Sequence, residues 1–118
     1  MRLLVVLLLA GCATAETYTQ IDYSRAPSAD WPKLREIVYD VPAVKLREYC
    51  KGTPTVGPSL VACTGYNFLE GWCAIFLVEA HPNRAALLAH ERAHCAGYDH
   101  PGETFTRDAW ERHKQGRR

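Results

Sequence analysis

Apolar and polar positions divide the chain into an apolar head, a polar stretch without period, and a segment from Trp31 onward in which strand-like and helix-like patterns alternate. Arg35-Glu36-Ile37-Val38-Tyr39-Asp40-Val41 is rich in β-branched and aromatic residues and reads as a strand. Pro42 then suits the first turn of a short helix through Val44, Leu46, Tyr49 and Cys50, which Gly52 ends. Positions 51–59, with Pro54, Pro58, Gly52 and Gly57, form a loop. Leu60 to Tyr66 and Trp72 to Ala80 have the composition of strands, and the short connector from Asn67 to Gly71 predicts a β-hairpin. His81-Pro82-Asn83 stops the second arm. Asn83 is then a natural N-cap, Arg84 to Cys95 is dense in helix formers, and Gly97 stands where a helix C′ glycine belongs. Thr106 to Lys114 suits a further short helix, and Trp31, Trp72 and Trp110 are expected to supply core area. The order β-α-β-β-α predicts a small α+β domain whose hairpin feeds directly into the long helix.

The head reads differently. Met1-Arg2 gives a short positive start, and Leu3 to Leu9 is an apolar run of signal-peptide length, well short of the roughly 20 residues that a membrane span needs. It reads as an export signal. Leu9-Ala10-Gly11-Cys12 resembles the lipobox of bacterial lipoproteins, in which small residues fit the signal peptidase and the cysteine becomes the lipidated first residue. The alternative is an ordinary signal cut after Ala13 or Ala15. The organisation expected is a lipoprotein signal over 1–11, a lipidated tether over 12–30 and a folded domain over 31–118. The residue after Cys12 is Ala13 and not Asp, which by resemblance to Gram-negative lipoproteins implies the outer membrane, with the domain facing the periplasm.

Export changes how the cysteines are read. Of the five in the chain, Cys12 is set aside for lipid, which leaves Cys50, Cys63, Cys73 and Cys95 in a domain otherwise short of core. In an oxidising compartment these are expected to form two disulfides, and no Cys-x-x-Cys spacing favours metal binding by thiolates or a thiol redox module. Three connectivities are open. The hairpin arms lean toward Cys63 with Cys73, leaving Cys50 for Cys95. The charge balance, 14 Lys plus Arg against 13 Asp plus Glu, shows no basic excess and argues against a nucleic-acid partner.

Chemistry concentrates at the end of the long helix. His90 and His94 are four residues apart, so on a helix they stand one above the other and their imidazoles can share one cation. Gly97 can adopt the left-handed conformation that turns the chain, and His100 arrives three residues later as a third imidazole. Three neutral nitrogen ligands leave a fourth position open, as a catalytic zinc site requires. Glu91 falls beside such an ion, within reach of a water bound there. Cys95 points about 100° around the helix from His94, so packing or a disulfide suits it better than ligation. Asp99 and Glu103 are candidates to bond a ligand imidazole, with solvated turn positions as the alternative. His81 and His113 read as surface histidines.

His90-Glu91-x-x-His94-x-x-Gly97-x-x-His100 resembles the extended zinc signature of the metzincin metallopeptidases at every fixed position. The resemblance implies a minimal zincin-like domain with Zn²⁺ on His90, His94 and His100, and Glu91 as catalytic base. It implies hydrolysis of a peptide or protein substrate without a covalent intermediate. It carries no methionine turn, because the one methionine is Met1. By the same resemblance the strand Trp72 to Ala80 would be an edge strand that aligns an extended substrate. Tyr98 is a candidate donor to the developing oxyanion, with packing of the turn as the alternative. The competing function is a non-catalytic, zinc-stabilised lipoprotein that binds a partner at the bacterial envelope.

Overall fold

A computed structural model describes residues 27–51 and 60–116. The expected export signal, Cys12, most of the expected tether and most of the Pro- and Gly-containing loop lie outside them. The elements are β1 (Arg35–Val41), α1 (Ala43–Tyr49), β2 (Ala62–Asn67), β3 (Trp72–Val78), α2 (Arg84–Cys95) and α3 (Phe105–Gly116). The domain is α+β, with the predicted element order and the further helix α3 at its end. β1 and α2 have the bounds that the sequence predicts. Asn83 occupies the N-cap position of α2, but its side chain makes no cap bond. Its main-chain N–H donates instead to His81 Nδ1 at 3.0 Å.

The sheet has the order β1-β3-β2, with β1 parallel and β2 antiparallel to β3. The hairpin closes as expected: Gly71, at φ +79°, donates its N–H to the Asn67 carbonyl at 2.8 Å, and the Glu70 N–H bonds Asn67 Oδ1 at 2.9 Å. β3 is therefore the central strand, and the expectation that it forms an edge is overturned. Its sequence holds the reason. Cys73-Ala74-Ile75-Phe76-Leu77-Val78 is apolar without alternation, the pattern of a strand covered on both faces. Cys73, Ile75 and Leu77 point to one face and pack with Leu87 and Cys95 of α2. On the other face Phe76 and Val78 lie against Leu46, Cys50 and Cys63.

The same parity decides the disulfides, which join Cys50 to Cys63 and Cys73 to Cys95. The pairing of Cys63 with Cys73 is thus incorrect. Cys63 lies opposite Phe76, whereas Cys73 lies opposite Tyr66. Directly opposed residues share a face and successive residues alternate, so an offset of three puts Cys63 and Cys73 on opposite sides of the sheet. Each disulfide instead ties the end of one helix to the sheet face that this helix covers. Disulfides of this kind belong to oxidising, extracytoplasmic compartments. Among the described residues, no helix is long and apolar enough to cross a membrane.

α3 closes the site end of the domain. Trp31, Tyr66, Phe68, Trp110 and His113 form one ring cluster with centroids between 5.0 and 6.2 Å apart. His113 stacks on Trp110 and its Nε2 is buried, so it is not the surface histidine that the sequence suggested. Trp31 Nε1 donates to the Cys95 carbonyl at 3.0 Å, and Asp30 accepts from Trp110 Nε1 and Lys114 Nζ. These contacts hold the last turn of α2 between the sheet and α3.

Candidate metal centre

α2 ends in two bonds that turn the chain back on itself. The Gly97 N–H donates to the His94 carbonyl and the Tyr98 N–H to the Ala93 carbonyl, both at 3.0 Å, with Gly97 at φ +101°. This is the Schellman closure, which needs a left-handed C′ residue. Space demands glycine there as well. A Cβ at Gly97 would lie 2.7 Å from Pro27 Cβ and 2.9 Å from Trp31 Cδ2. Gly97→Ala should therefore destabilise the protein by about 2–4 kcal/mol, combining left-handed strain with overpacking. Urea unfolding of the full chain checks this, and a loss of a few tenths of a kcal/mol would show that the turn relaxes freely.

The turn delivers His100 to the two helical histidines. His100 Nε2 lies 2.9 Å from His90 Nε2 and 3.3 Å from His94 Nε2, and the three rings have centroids 4.8–5.0 Å apart. These three side chains could hold a metal ion between them. Tetrahedral zinc at about 2.0–2.1 Å from each nitrogen separates its ligand atoms by roughly 3.3 Å; the His94–His100 pair stands at that spacing, the His90–His100 pair is closer at 2.9 Å, and all three ligand atoms lie within 4.8 Å of one another.

Hydrogen-bond partners orient two of the rings. His94 Nδ1 lies 2.7 Å from the Tyr98 carbonyl, and His100 Nδ1 lies 2.8 Å from Glu103 Oε2. The Tyr98 carbonyl only accepts, so His94 Nδ1 carries a hydrogen, and Glu103 fixes the His100 ring through Nδ1, which turns the Nε2 atoms of both rings toward His90. Burial and the neighbouring imidazoles push the His90 pKa down to about 3, and burial also lowers that of His94. Both rings are thereby held in the neutral form that binds metal. His90 Nδ1 is buried without a partner among the described residues.

Glu91 is only 5% exposed and stands beside the three nitrogens. Its Oε2 lies 3.7 Å from His90 Nε2, and its Oε1 accepts a 2.7 Å hydrogen bond from the Thr64 hydroxyl. Burial raises its pKa to about 7, against the opposing effects of Thr64 and His100. A cation on the histidines would draw that value back down. Tyr66, two residues after Thr64 on the same face of β2, donates its hydroxyl to the His94 carbonyl at 2.8 Å and also meets Thr106 Oγ1 at 3.1 Å. Strand β2 thus grips α2 at both Glu91 and His94.

The structure brings together His90, Glu91, His94 and His100, and Glu103 bonds the His100 imidazole at Nδ1. Asp99 acts otherwise. It is buried and accepts from the Thr106 and Arg107 N–H groups at 2.7 and 3.2 Å, which satisfies the free donors at the start of α3. Tyr98 meets the centre through its main-chain oxygen on His94 Nδ1. Cys95 is in a disulfide. No motif or spacing in the sequence marks Thr64 and Tyr66 for this site. Their only signal is that alternate residues of a strand share a face. Comparisons of the chain with known protein families, with curated proteins and with solved structures find no match.

Proposed function

We propose that the protein is a zinc-dependent peptide-bond hydrolase held on the bacterial envelope by lipid on Cys12, facing the periplasm from the outer membrane. The observation that carries this reading is the placement of Glu91. A buried carboxylate stands 3.7 Å from one of three converging imidazole nitrogens, and it is not one of the three groups that would hold the ion. A purely structural site has no use for a base there. His90, His94 and His100 would hold zinc, leaving one position open. Bound there, zinc supplies a Lewis acid that brings the pKa of water to about 7 and polarises a carbonyl. Glu91 takes the proton from the attacking water at Oε2 and passes it to the leaving amine. Tyr98 is a candidate to donate a hydrogen bond to the developing oxyanion.

An extended substrate would lie along β2 and not β3. β2 pairs only with β3 among the described residues, so its outer edge is open there. The Val78 N–H bonds the Val61 carbonyl at 2.9 Å, which by alternation turns the main-chain groups of Ala62, Thr64 and Tyr66 away from β3. Pairing along that edge reads peptide backbone more than side chains.

The test uses full-length protein purified in detergent, loaded with zinc and incubated with a broad peptide library. Cleavage that stops with a chelator and returns with zinc is the expected result. A zinc-loaded protein that cleaves nothing would favour the non-catalytic lipoprotein, with the same metal serving to fix the turn between α2 and α3.

A further inference from the structure

We propose that Thr64 is a positioning residue. Its hydroxyl holds Glu91 Oε1, so that only Oε2 faces the three histidines and Glu91 serves as a base instead of closing the site as a fourth ligand. The inference rests on the metal-site reading given above and adds a residue from another element to it.

The chemistry that makes such a device necessary is general. Carboxylates ligate zinc as readily as imidazoles do, and sites with two histidines and one glutamate are common. Glu91 adjoins His90 in sequence, and its Oε2 already lies 3.7 Å from His90 Nε2. A carboxylate so placed needs only a small rotation to approach a bound ion. The 2.7 Å bond from Thr64 opposes that rotation. Thr64 is itself well fixed. It is paired with Ile75 of the central strand, and Ile75 is fully buried. Its β-branched side chain has few rotamers to explore. Tyr66 anchors the same strand to the His94 carbonyl. The hydroxyl is thus held by the sheet while the carboxylate is held by the helix, and their contact fixes the angle of the carboxylate without touching any metal ligand. An apolar residue of the same shape would fill this place without restraining Glu91.

Cobalt(II) is the probe, because its visible absorption reports coordination and azide reports whether a position is open. Full-length protein in detergent is loaded with Co²⁺ and titrated with azide as wild type, Thr64→Val and Thr64→Ser. The two Thr64 variants are repeated in a Glu91→Ala background. Hydrogen bonds to charged groups correspond to factors of about 10 to 100. Thr64→Val should therefore bind azide about tenfold or more weakly and show an altered cobalt spectrum, whereas Thr64→Ser should stay within about twofold of wild type. In the Glu91→Ala background Thr64→Val should change nothing, since there is no carboxylate to release. Unchanged azide affinity in Thr64→Val overturns the proposal, and so does an effect that survives without Glu91, which would mean a merely structural role. A wild-type protein that gives no visible cobalt spectrum sinks the metal reading and this inference together. A wild-type site that binds azide while Thr64→Val matches it sinks this inference alone.

Discussion

Replacing His100 with Ala should abolish stoichiometric zinc binding while leaving the fold intact. The three nitrogens form one face of a coordination sphere only because the chain reverses at Gly97 and returns His100 to within 2.9 Å of His90 Nε2 and 3.3 Å of His94 Nε2. Without His100, the pair on α2 offers only two of the three nitrogens. Structural zinc in small domains is worth about 10–16 kcal/mol over four ligands, so loss of one ligand corresponds to a factor of about 10² to 10³ in affinity. The fold should tolerate the change. The His100 side chain is 34% exposed, and it belongs to the turn between α2 and α3 and not to either apolar core. Equilibrium dialysis with elemental analysis, beside a far-ultraviolet spectrum, separates metal loss from unfolding. Wild-type zinc content in His100→Ala would show that this ring does not belong to the site.

What the sequence could and could not reveal follows from the range of the interactions. The bounds of β1 and α2 are written locally, in a β-branched run and in a helix that begins after Asn83 and closes at Gly97. The candidate metal centre is nearly as local, because the i, i+4 geometry of His90 and His94 and the left-handed glycine are properties of one segment. The order of strands is not local. That β1 docks on β3, in parallel, depends on α1 carrying the chain across the sheet, and the unbroken apolar character of β3 was its one advance sign. The disulfides went the same way, since side-of-sheet parity follows only from the register of β2 on β3. Thr64 and Tyr66 reach Glu91 and His94 across 27 and 28 residues of sequence, and no spacing rule connects them. Asp99 reads as one more polar turn residue until α3 is placed above it.

Glu91→Gln should keep the fold and the zinc while removing the proton acceptor that hydrolysis needs. Glutamine has the same shape, and the Thr64 hydroxyl can donate to its carbonyl as it now does to Oε1. General acid–base catalysis is typically worth about 10² to 10⁴ in rate, so cleavage of any peptide that turns over should fall by that factor. His94→Ala serves as the metal-free control. A second expectation distinguishes this variant from a misfolded one, and it concerns the metal-free protein. Burial raises the Glu91 pKa from an ordinary 4.5 to about 7, so the folded chain holds this proton more tightly than the unfolded chain does. The resulting stability is fully present below about pH 4.5 and is lost as pH rises through about 7. The glutamine variant has no such loss. Metal-free Glu91→Gln should match wild type near about pH 4 and exceed it by about 3 kcal/mol near about pH 8, measured by urea unfolding. Zinc should narrow that gap, because a bound cation stabilises the carboxylate form of the wild type. If Glu91→Gln cleaves as fast as wild type, Glu91 is not the base and the hydrolase reading fails with it. The centre would then be a zinc staple at the end of α2, and the non-catalytic lipoprotein becomes the better account.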